Sequence, residues 1–262
     1  MKELRIRGIR PLRQQRKLKR TIYILPSIFT VGNIFAGFLA LIATLSGEYE
    51  KAAIAIGIAV ILDGLDGRVA RLVNVTSDFG VQLDSLADVI SFGIAPAVLV
   101  YSWGLADFGK FARFSAFVFL ICGVMRLARF NMQIGELKHF AGLPIPAGAG
   151  FIAATVHFFP EPPDNPLFKP ALVGATYLTA LLMISTIRYP SLKQLQLGQR
   201  KSHLVILTLA TLVAGIFFYS RYALLIIAYS YLLSGPLARL YQFSRYRFGD
   251  PGRVASRNRP AS

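Results

Sequence analysis

Acidic residues are scarce in this chain. It carries 13 Asp and Glu against 29 Lys and Arg in 262 residues, a net charge of +16. Charged residues of both signs amount to only 16%, where a soluble domain of this length has about 25%, so an ordinary soluble globule is excluded. The single cysteine, Cys122, excludes an internal disulfide framework and a cysteine-based metal cluster. His139, His157 and His203 are scattered without the spacing of metal ligands. What fills the chain is apolar. Hydrophobic residues make up 54% and the mean hydropathy is +0.52, which also excludes a disordered chain.

The positive charge is concentrated at the ends. Residues 1–20 hold nine Lys or Arg and one acid, Glu3, and residues 236–262 hold six Arg and one acid, Asp250, so thirteen of the sixteen net charges lie there. Basic arms suit nucleic acid, but a strongly apolar middle does not, and no nucleic-acid partner is expected. The positive-inside rule accounts for both facts: the termini are cytoplasmic and the number of membrane spans is even.

Runs of about 20 apolar residues predict eight spans, near 22–46, 51–72, 80–104, 111–133, 143–159, 170–188, 204–220 and 222–241. The loops agree with that count. Short acidic breaks at 47–50, 105–110 and 160–166 fall outside, and the stretch 188–203, with Arg188, Lys193, Arg200, Lys201 and no acid, falls inside. The apolar run after Arg20 is too long for a secretory signal and lacks a small-residue cleavage site, so it reads as a retained first helix. The expected architecture is all-α, a polytopic transmembrane helix bundle. A basic cytoplasmic arm occupies 1–21, the membrane domain 22–241 and a basic, disordered tail 242–262. Trp103 and Tyr101 read as interfacial anchors, and Cys122 as a small packing residue.

Four of the few acids stand where lipid should forbid them. Asp63, Asp66, Asp84 and Asp88 fall in the second and third spans, and an aspartate at a helix centre costs about 2.5–3.5 kcal/mol on insertion. They flank the first cytoplasmic turn, within reach of water. At about 100° per residue, Asp63 and Asp66 share a face of the second helix with Gly67 and Ala70, and Gly80, Asp84 and Asp88 share one on the third. Antiparallel helices joined by a short turn bring the two faces together. Four carboxylates so placed repel unless cations lie between them. Pairing with Arg68 and Arg71 alone leaves half of the acids unmatched. Oxygen ligands without His or Cys point to magnesium, manganese or calcium, and two such ions can clamp a diphosphate beside the bare backbone at the glycines.

The stretch DGLDGRVARLVNVTSDFGVQLDSLAD, residues 63–88, resembles the signature of the CDP-alcohol phosphotransferase family, with Asp63, Asp66, Gly67, Ala70, Arg71, Gly80, Asp84 and Asp88 matching without a spacing change. The resemblance implies an integral membrane enzyme, homodimeric, that displaces CMP from a CDP-linked lipid with the help of divalent metal ions, Mg2+ or Mn2+ and two in number. It implies metal binding by the four aspartates and a general-base role for Asp88. Further segments, LPSIFTVGNIFAGF at 25–38, DSLADVISFGIAPA at 84–97, MRLARFN at 125–131 and FAGLPIPAGAG at 140–150, resemble the serine-using branch of the family. On that likeness the substrates are CDP-diacylglycerol and L-serine and the products phosphatidylserine and CMP. Thr30, Asn33, Gly67, Ala70, Arg71 and Gly80 are the nucleotide and diphosphate contacts, and Ser27 stands where many members have Asn. Localisation follows as the plasma (inner) membrane with the site facing the cytoplasm.

Serine brings a carboxylate that calls for a cation. Arg126 and Arg129, at the cytoplasmic end of the fourth span, with Asn131 two residues on, are the candidates, against a plain role for both arginines as positive-inside anchors. The run GLPIPAGAG reads more as an irregular helix start than as a substrate pocket. Two other functions stay open: the same chemistry on glycerol 3-phosphate or an inositol phosphate, and an ion-coupled transporter whose buried acids bind the coupling ion.

Overall fold

The computed structural model describes the backbone of residues 12–73, 78–132, 142–187, 189, 215 and 219–248, with side chains over 28–69, 79–132, 142–187, 189, 215 and 219–241. Among the described residues every regular element is helical. The elements are α1 (Leu12–Leu45), α2 (Tyr49–Val73), α3 (Asp78–Asp88), α4 (Ala95–Val100), α5 (Lys110–Met132), α6 (Ile145–Phe158), α7 (Phe168–Ile184) and α8 (Ser220–Phe248). Wide π-helical turns at Val89–Ile94 and Tyr101–Leu105 join α3 and α4 to a short 3-10 turn at Ala106–Phe108, making one long span.

Among the described residues, four stretches are long and apolar enough to cross a membrane: Ile28–Leu45, Phe79–Phe108, Lys110–Met132 and Ser220–Tyr241. Two shorter apolar helices accompany them, Ile145–Phe158 and Phe168–Ile184. In α2 the apolar run is interrupted by Glu50 and Lys51 at one end and by Asp63, Asp66 and Arg68 toward the other. Most of the expected span at 204–220 lies outside the described residues, as do the basic loop at 190–203, residues 1–11 and residues 249–262. Helix α1 begins inside the expected basic arm, and α8 runs to Phe248, beyond the expected end at 241. Backbone hydrogen bonding carries a helix past its last apolar residue when the adjoining residues include no strong breaker.

The pattern of burial is that of a protein solvated by lipid. On α1, Ile28, Val31, Phe35, Phe38, Ile42 and Leu45 are exposed, while Thr30, Asn33, Ala36, Ala40 and Thr44 are buried. Small residues on the inner face let backbones approach closely, which is how membrane helices gain packing energy in the absence of a hydrophobic drive. Ala36 and Ala40 of α1 share one buried cluster with Ala52, Ala53, Ile56 and Ala59 of α2, the helix packed against it. Between them the chain turns on Gly47 (φ 75°), with Glu48 N–H bonding Ala43 O at 2.8 Å and Gly47 N–H bonding Thr44 O at 3.1 Å. That double closure is a Schellman turn, and its left-handed residue favours glycine.

Pro96 explains the first wide turn. It has no N–H to give to the preceding turn, and the helix loosens there, Ala95 N–H reaching back five residues to Ile90 O. The loosened stretch lies directly after Asp88. Trp103, expected as an interfacial anchor, is buried in the bundle, its ring edge-on to Phe168 at 5.8 Å. Gly104 beside it admits Leu172, so the indole is part of the packing between this span and α7.

The start of α6 is fastened to the end of α7. Gly142 (φ 90°) donates to Ile187 O at 2.8 Å and Leu143 to Leu182 O at 2.9 Å. A Cβ at Gly142 would collide with the Met183 carbonyl oxygen. The glycine and prolines of this segment therefore serve an irregular, backbone-bonded helix start.

Candidate active site

Helices α2 and α3 deliver the acids. One ligand oxygen from each of Asp63, Asp84 and Asp88 lies within 4.8 Å of the others, and all three side chains are half-buried. The i, i+4 spacing of Asp84 and Asp88 stacks them on one face of α3, and the α1–α2–α3 packing turns that face toward Asp63. The fourth acid, Asp66, is buried at 6% exposure and accepts a hydrogen bond from Thr30 Oγ1 of α1. It remains within electrostatic reach of Asp63, Asp84 and Asp88. The structure thus brings three carboxylates to one point and sets the fourth beside them, held by a neighbouring helix.

Among the described residues none of the four aspartates forms a salt bridge; those present join Lys51, His157, Lys169 and Arg221 to other acids. Arg68 is exposed. The charge of Arg126 acts on Asp63 and Asp88 from α5. Among the described residues, one cation acting on four carboxylates leaves a strong surplus of negative charge. Asp88 Oδ1 is moreover buried with no hydrogen-bond partner among the described residues. An oxygen-only donor set, crowded and under-compensated, fits a hard divalent cation, and Asp63, Asp84 and Asp88 are the residues that could hold it.

Asn33 of α1 and Ser91 of the wide turn after Asp88 are buried against each other. Asn33 is fully buried and both polar atoms of its amide lack a partner, while Ser91 Oγ donates to the Asn33 carbonyl at 2.9 Å. Gly37, one turn along α1, has no room for a Cβ against Ser91. The close approach of α1 to the wide turn therefore fixes Asn33 and Thr30 on the acid side of the bundle. Gly67 and Gly80 lie on the acid-bearing helices, Gly67 exposed and Gly80 half-buried. The side chains of Ala70 and Arg71, expected diphosphate contacts, lie outside the described residues, although their backbone continues α2.

The expected acceptor residues divide. Arg126 lies over the Phe130 ring of its own helix, within electrostatic reach of Asp88 and Asp63. Asn131 Nδ2 donates to Ser85 Oγ at 2.9 Å, beside Asp84. Arg129 instead donates through Nη1 to Ile184 O at 3.2 Å, tying α5 to the end of α7. Ser85 and Ser91 were not singled out by sequence reasoning, and the only available signal was their place beside Asp84 and Asp88 in the helical repeat.

The family described as CDP-alcohol phosphatidyltransferase matches residues 23–188. The chain belongs to this family. As a CDP-alcohol phosphatidyltransferase it is an enzyme, a membrane transferase, and all four aspartates, Arg126, Arg129 and Asn131 lie within the matched residues. It is similar to the CDP-diacylglycerol–serine O-phosphatidyltransferase of Helicobacter pylori, 37% identical over 196 residues covering 72% of this chain and 81% of that one. The Bacillus subtilis protein of the same name is 35% identical over 171 residues, 65% of this chain and 92% of that one. The one from Methanocaldococcus jannaschii is 40% identical over 172 residues, 65% of this chain and 76% of that one. Helix α8 lies beyond the part that matches the family.

Proposed function

We propose that this phosphatidyltransferase moves the phosphatidyl group of CDP-diacylglycerol to L-serine, giving phosphatidylserine and CMP. The observation that carries the reading is the meeting of Asp63, Asp84 and Asp88 within 4.8 Å at the motif positions of the family. The names of the similar proteins support serine as the acceptor.

In this reading Asp88 accepts the proton of the serine hydroxyl as its oxygen attacks the phosphorus that bears diacylglycerol. A new P–O bond to serine forms, the bond to the CMP phosphate oxygen breaks, and CMP leaves with that oxygen and the bonding pair. Divalent cations, two in number, supply charge stabilisation on the diphosphate when bound at Asp63, Asp66, Asp84 and Asp88. Thr30 holds the Asp66 carboxylate in place. Asn33, Gly67, Ala70, Arg71 and Gly80 are the nucleotide and diphosphate contacts, with Arg71 suited to a phosphate oxygen by its forked donors. Arg126 and Asn131 face the acceptor, and Arg129 is the third candidate there.

The enzyme sits in the plasma (inner) membrane as eight spans with both termini and the active site on the cytoplasmic side, and works as a homodimer. The asymmetry of Lys and Arg between loops supports that orientation.

Purified protein in detergent, given CDP-diacylglycerol and manganese, should release CMP on addition of serine but not of glycerol 3-phosphate or inositol. Release that does not depend on serine, or release with another alcohol instead, would overturn the proposal.

A further inference from the structure

We propose that Ser85 is a positioning residue for the metal-binding acids: joined to Asn131 of α5, it fixes the rotation of α3 and so holds Asp84 and Asp88 against Asp63. The proposal deepens the reading above at its cation site and rests on that reading for the presence of the cations.

Helix α3 is a weak support for two ligands if left to itself. It has 11 residues, and among its described residues Ala87 alone is buried, while Phe79, Val81 and Leu86 are exposed. Directly after Asp88 the chain widens into the π-helical turn at Val89–Ile94, so the α-helical ladder does not continue past the second ligand. Like charges on Asp63, Asp84 and Asp88 push α3 away from α2 whenever cations are absent. A rotation of the helix by about 10° carries an atom about 5 Å from its axis through about 1 Å, and ligand distances to a metal hold within about 0.2 Å. The rotation of α3 therefore decides whether the three carboxylates can close on one ion.

The bond that sets this rotation comes from α5. Asn131 Nδ2 donates to Ser85 Oγ at 2.9 Å, and Ser85 Oγ donates in turn to Val81 O at 3.0 Å, one helical turn back. A serine hydroxyl has one hydrogen, and here Val81 takes it, so the lone pair toward α5 needs a donor and the amide N–H supplies it. Ser85 follows Asp84 and stands three residues before Asp88, in the turn that links the two ligands. Both partners are neutral, so the bond holds α3 whether or not the acids are charged. Ser85 and Asn131 are 46 positions apart and belong to the stretches 84–97 and 125–131, two of those by which the chain resembles the serine-using branch.

The other side of the bond is anchored as well. Arg129, in the last turn of α5, donates through Nη1 to Ile184 O at 3.2 Å. Ile184 closes α7, and its neighbours accept from the start of α6, Leu182 O from Leu143 N–H and Ile187 O from Gly142 N–H. The end of α5 is therefore a strut, with one arm on α3 and the other on the α6–α7 junction.

The test is manganese binding to full-length protein in detergent without substrates, read from the free-ion signal in electron paramagnetic resonance. It compares wild type, Ser85→Ala, Ser85→Thr, Asn131→Ala and the double variant of the two alanines. Alanine is the best helix former, so Ser85→Ala leaves α3 able to form. Ser85→Ala should weaken manganese binding about 3- to 10-fold, the scale of one neutral hydrogen bond that holds the ligands in place. Ser85→Thr keeps the hydroxyl and should bind within about twofold of wild type. Asn131→Ala should weaken binding as Ser85→Ala does and the double variant no further, since both remove one bond. An unchanged manganese Kd in Ser85→Ala with a lowered Tm in chelator would make the bond a packing contact and overturn the proposal. Additive losses in the double variant, or a wild type that binds no manganese, would overturn it too. At saturating manganese the serine KM of Ser85→Ala should equal that of wild type, and a rise there with manganese binding unchanged would place Ser85 at the acceptor instead. A wild type that binds manganese, with these losses in the variants, yet releases no CMP on adding serine would sink the serine reading and leave the role of Ser85 standing.

Discussion

Helix α2 carries charge at both ends, and the two ends are built on opposite principles. At its start, Glu50 meets Arg221 Nη2 at 2.8 Å and His157 Nδ1 at 3.5 Å, and His157 Nε2 lies 3.1 Å from Ser220 Oγ. Every member of that group has an opposite or neutral polar partner, and together they join α2, α6 and α8. Thirteen residues on, about 20 Å at 1.5 Å per residue, Asp63 begins a group of four acids with Arg126 as the nearby cation. The first group neutralises itself and fastens helices. The second crowds like charges that the described residues do not balance, an arrangement that fits the binding of cations. Charge in a membrane bundle is therefore informative by its imbalance more than by its presence.

The sharpest way to break this contrast is Asp88→Asn. Turnover should fall by about 10²–10⁴ as the proton acceptor is removed, while Tm in the presence of chelator holds or rises because a repelling charge has gone. Retained CMP release would end the general-base assignment, and a fall in Tm would show that the acids are structural partners instead. Next in size is Thr30→Val, which strips the hydroxyl from buried Asp66. A loss of about 10- to 100-fold in activity or metal affinity is expected, the usual scale for a group that orients a ligand. Titration of activity with manganese would read it directly, and an unshifted curve would detach Asp66 from the site.

The acids were legible in the sequence because their cause is local. Helical spacing alone stacks Asp84 on Asp88, and the closeness of α2 and α3 in the sequence brings in Asp63. Asp66 was placed with them by the same reasoning, yet its carboxylate is engaged by Thr30, 36 positions away, a contact that depends on how α1 crosses α2. Arg126 and Arg129 show the same limit: three residues apart, one lies over Phe130 within electrostatic reach of the acids and the other donates to the Ile184 carbonyl. Trp103, expected as an interfacial anchor, is packed between helices, where Gly104 beside it admits Leu172 and the indole meets Phe168, contacts that no local spacing announces. Spacing within a helix survives folding unchanged. Which helix supplies the partner does not appear in spacing.

The fastening of α6 to α7 gives an effect of intermediate size, on stability. Gly142→Ala places a Cβ against the Met183 carbonyl at a φ of 90° that L-residues rarely adopt, for a cost of about 1–3 kcal/mol. It should lower Tm with little change in either KM. An unchanged Tm would mean that the Gly142–Ile187 bond is not a fixed feature of the helix start.

The smallest effect is expected at the neutralised end of α2, and it completes the comparison. Glu50→Gln leaves Arg221 half-exposed and able to turn to water, and exposed ion pairs contribute only about 0.2–1 kcal/mol. Tm should fall slightly and CMP release should stay within about twofold of wild type, since Glu50 lies about 20 Å along the helix from the acids. The sign is the point of the experiment. Removing an acid from the balanced group should lower stability and spare activity, whereas removing one from the crowded group should do the reverse. A Glu50→Gln enzyme that lost activity as Asp88→Asn does would mean that charge at the far end of α2 is coupled to the chemistry through the helix.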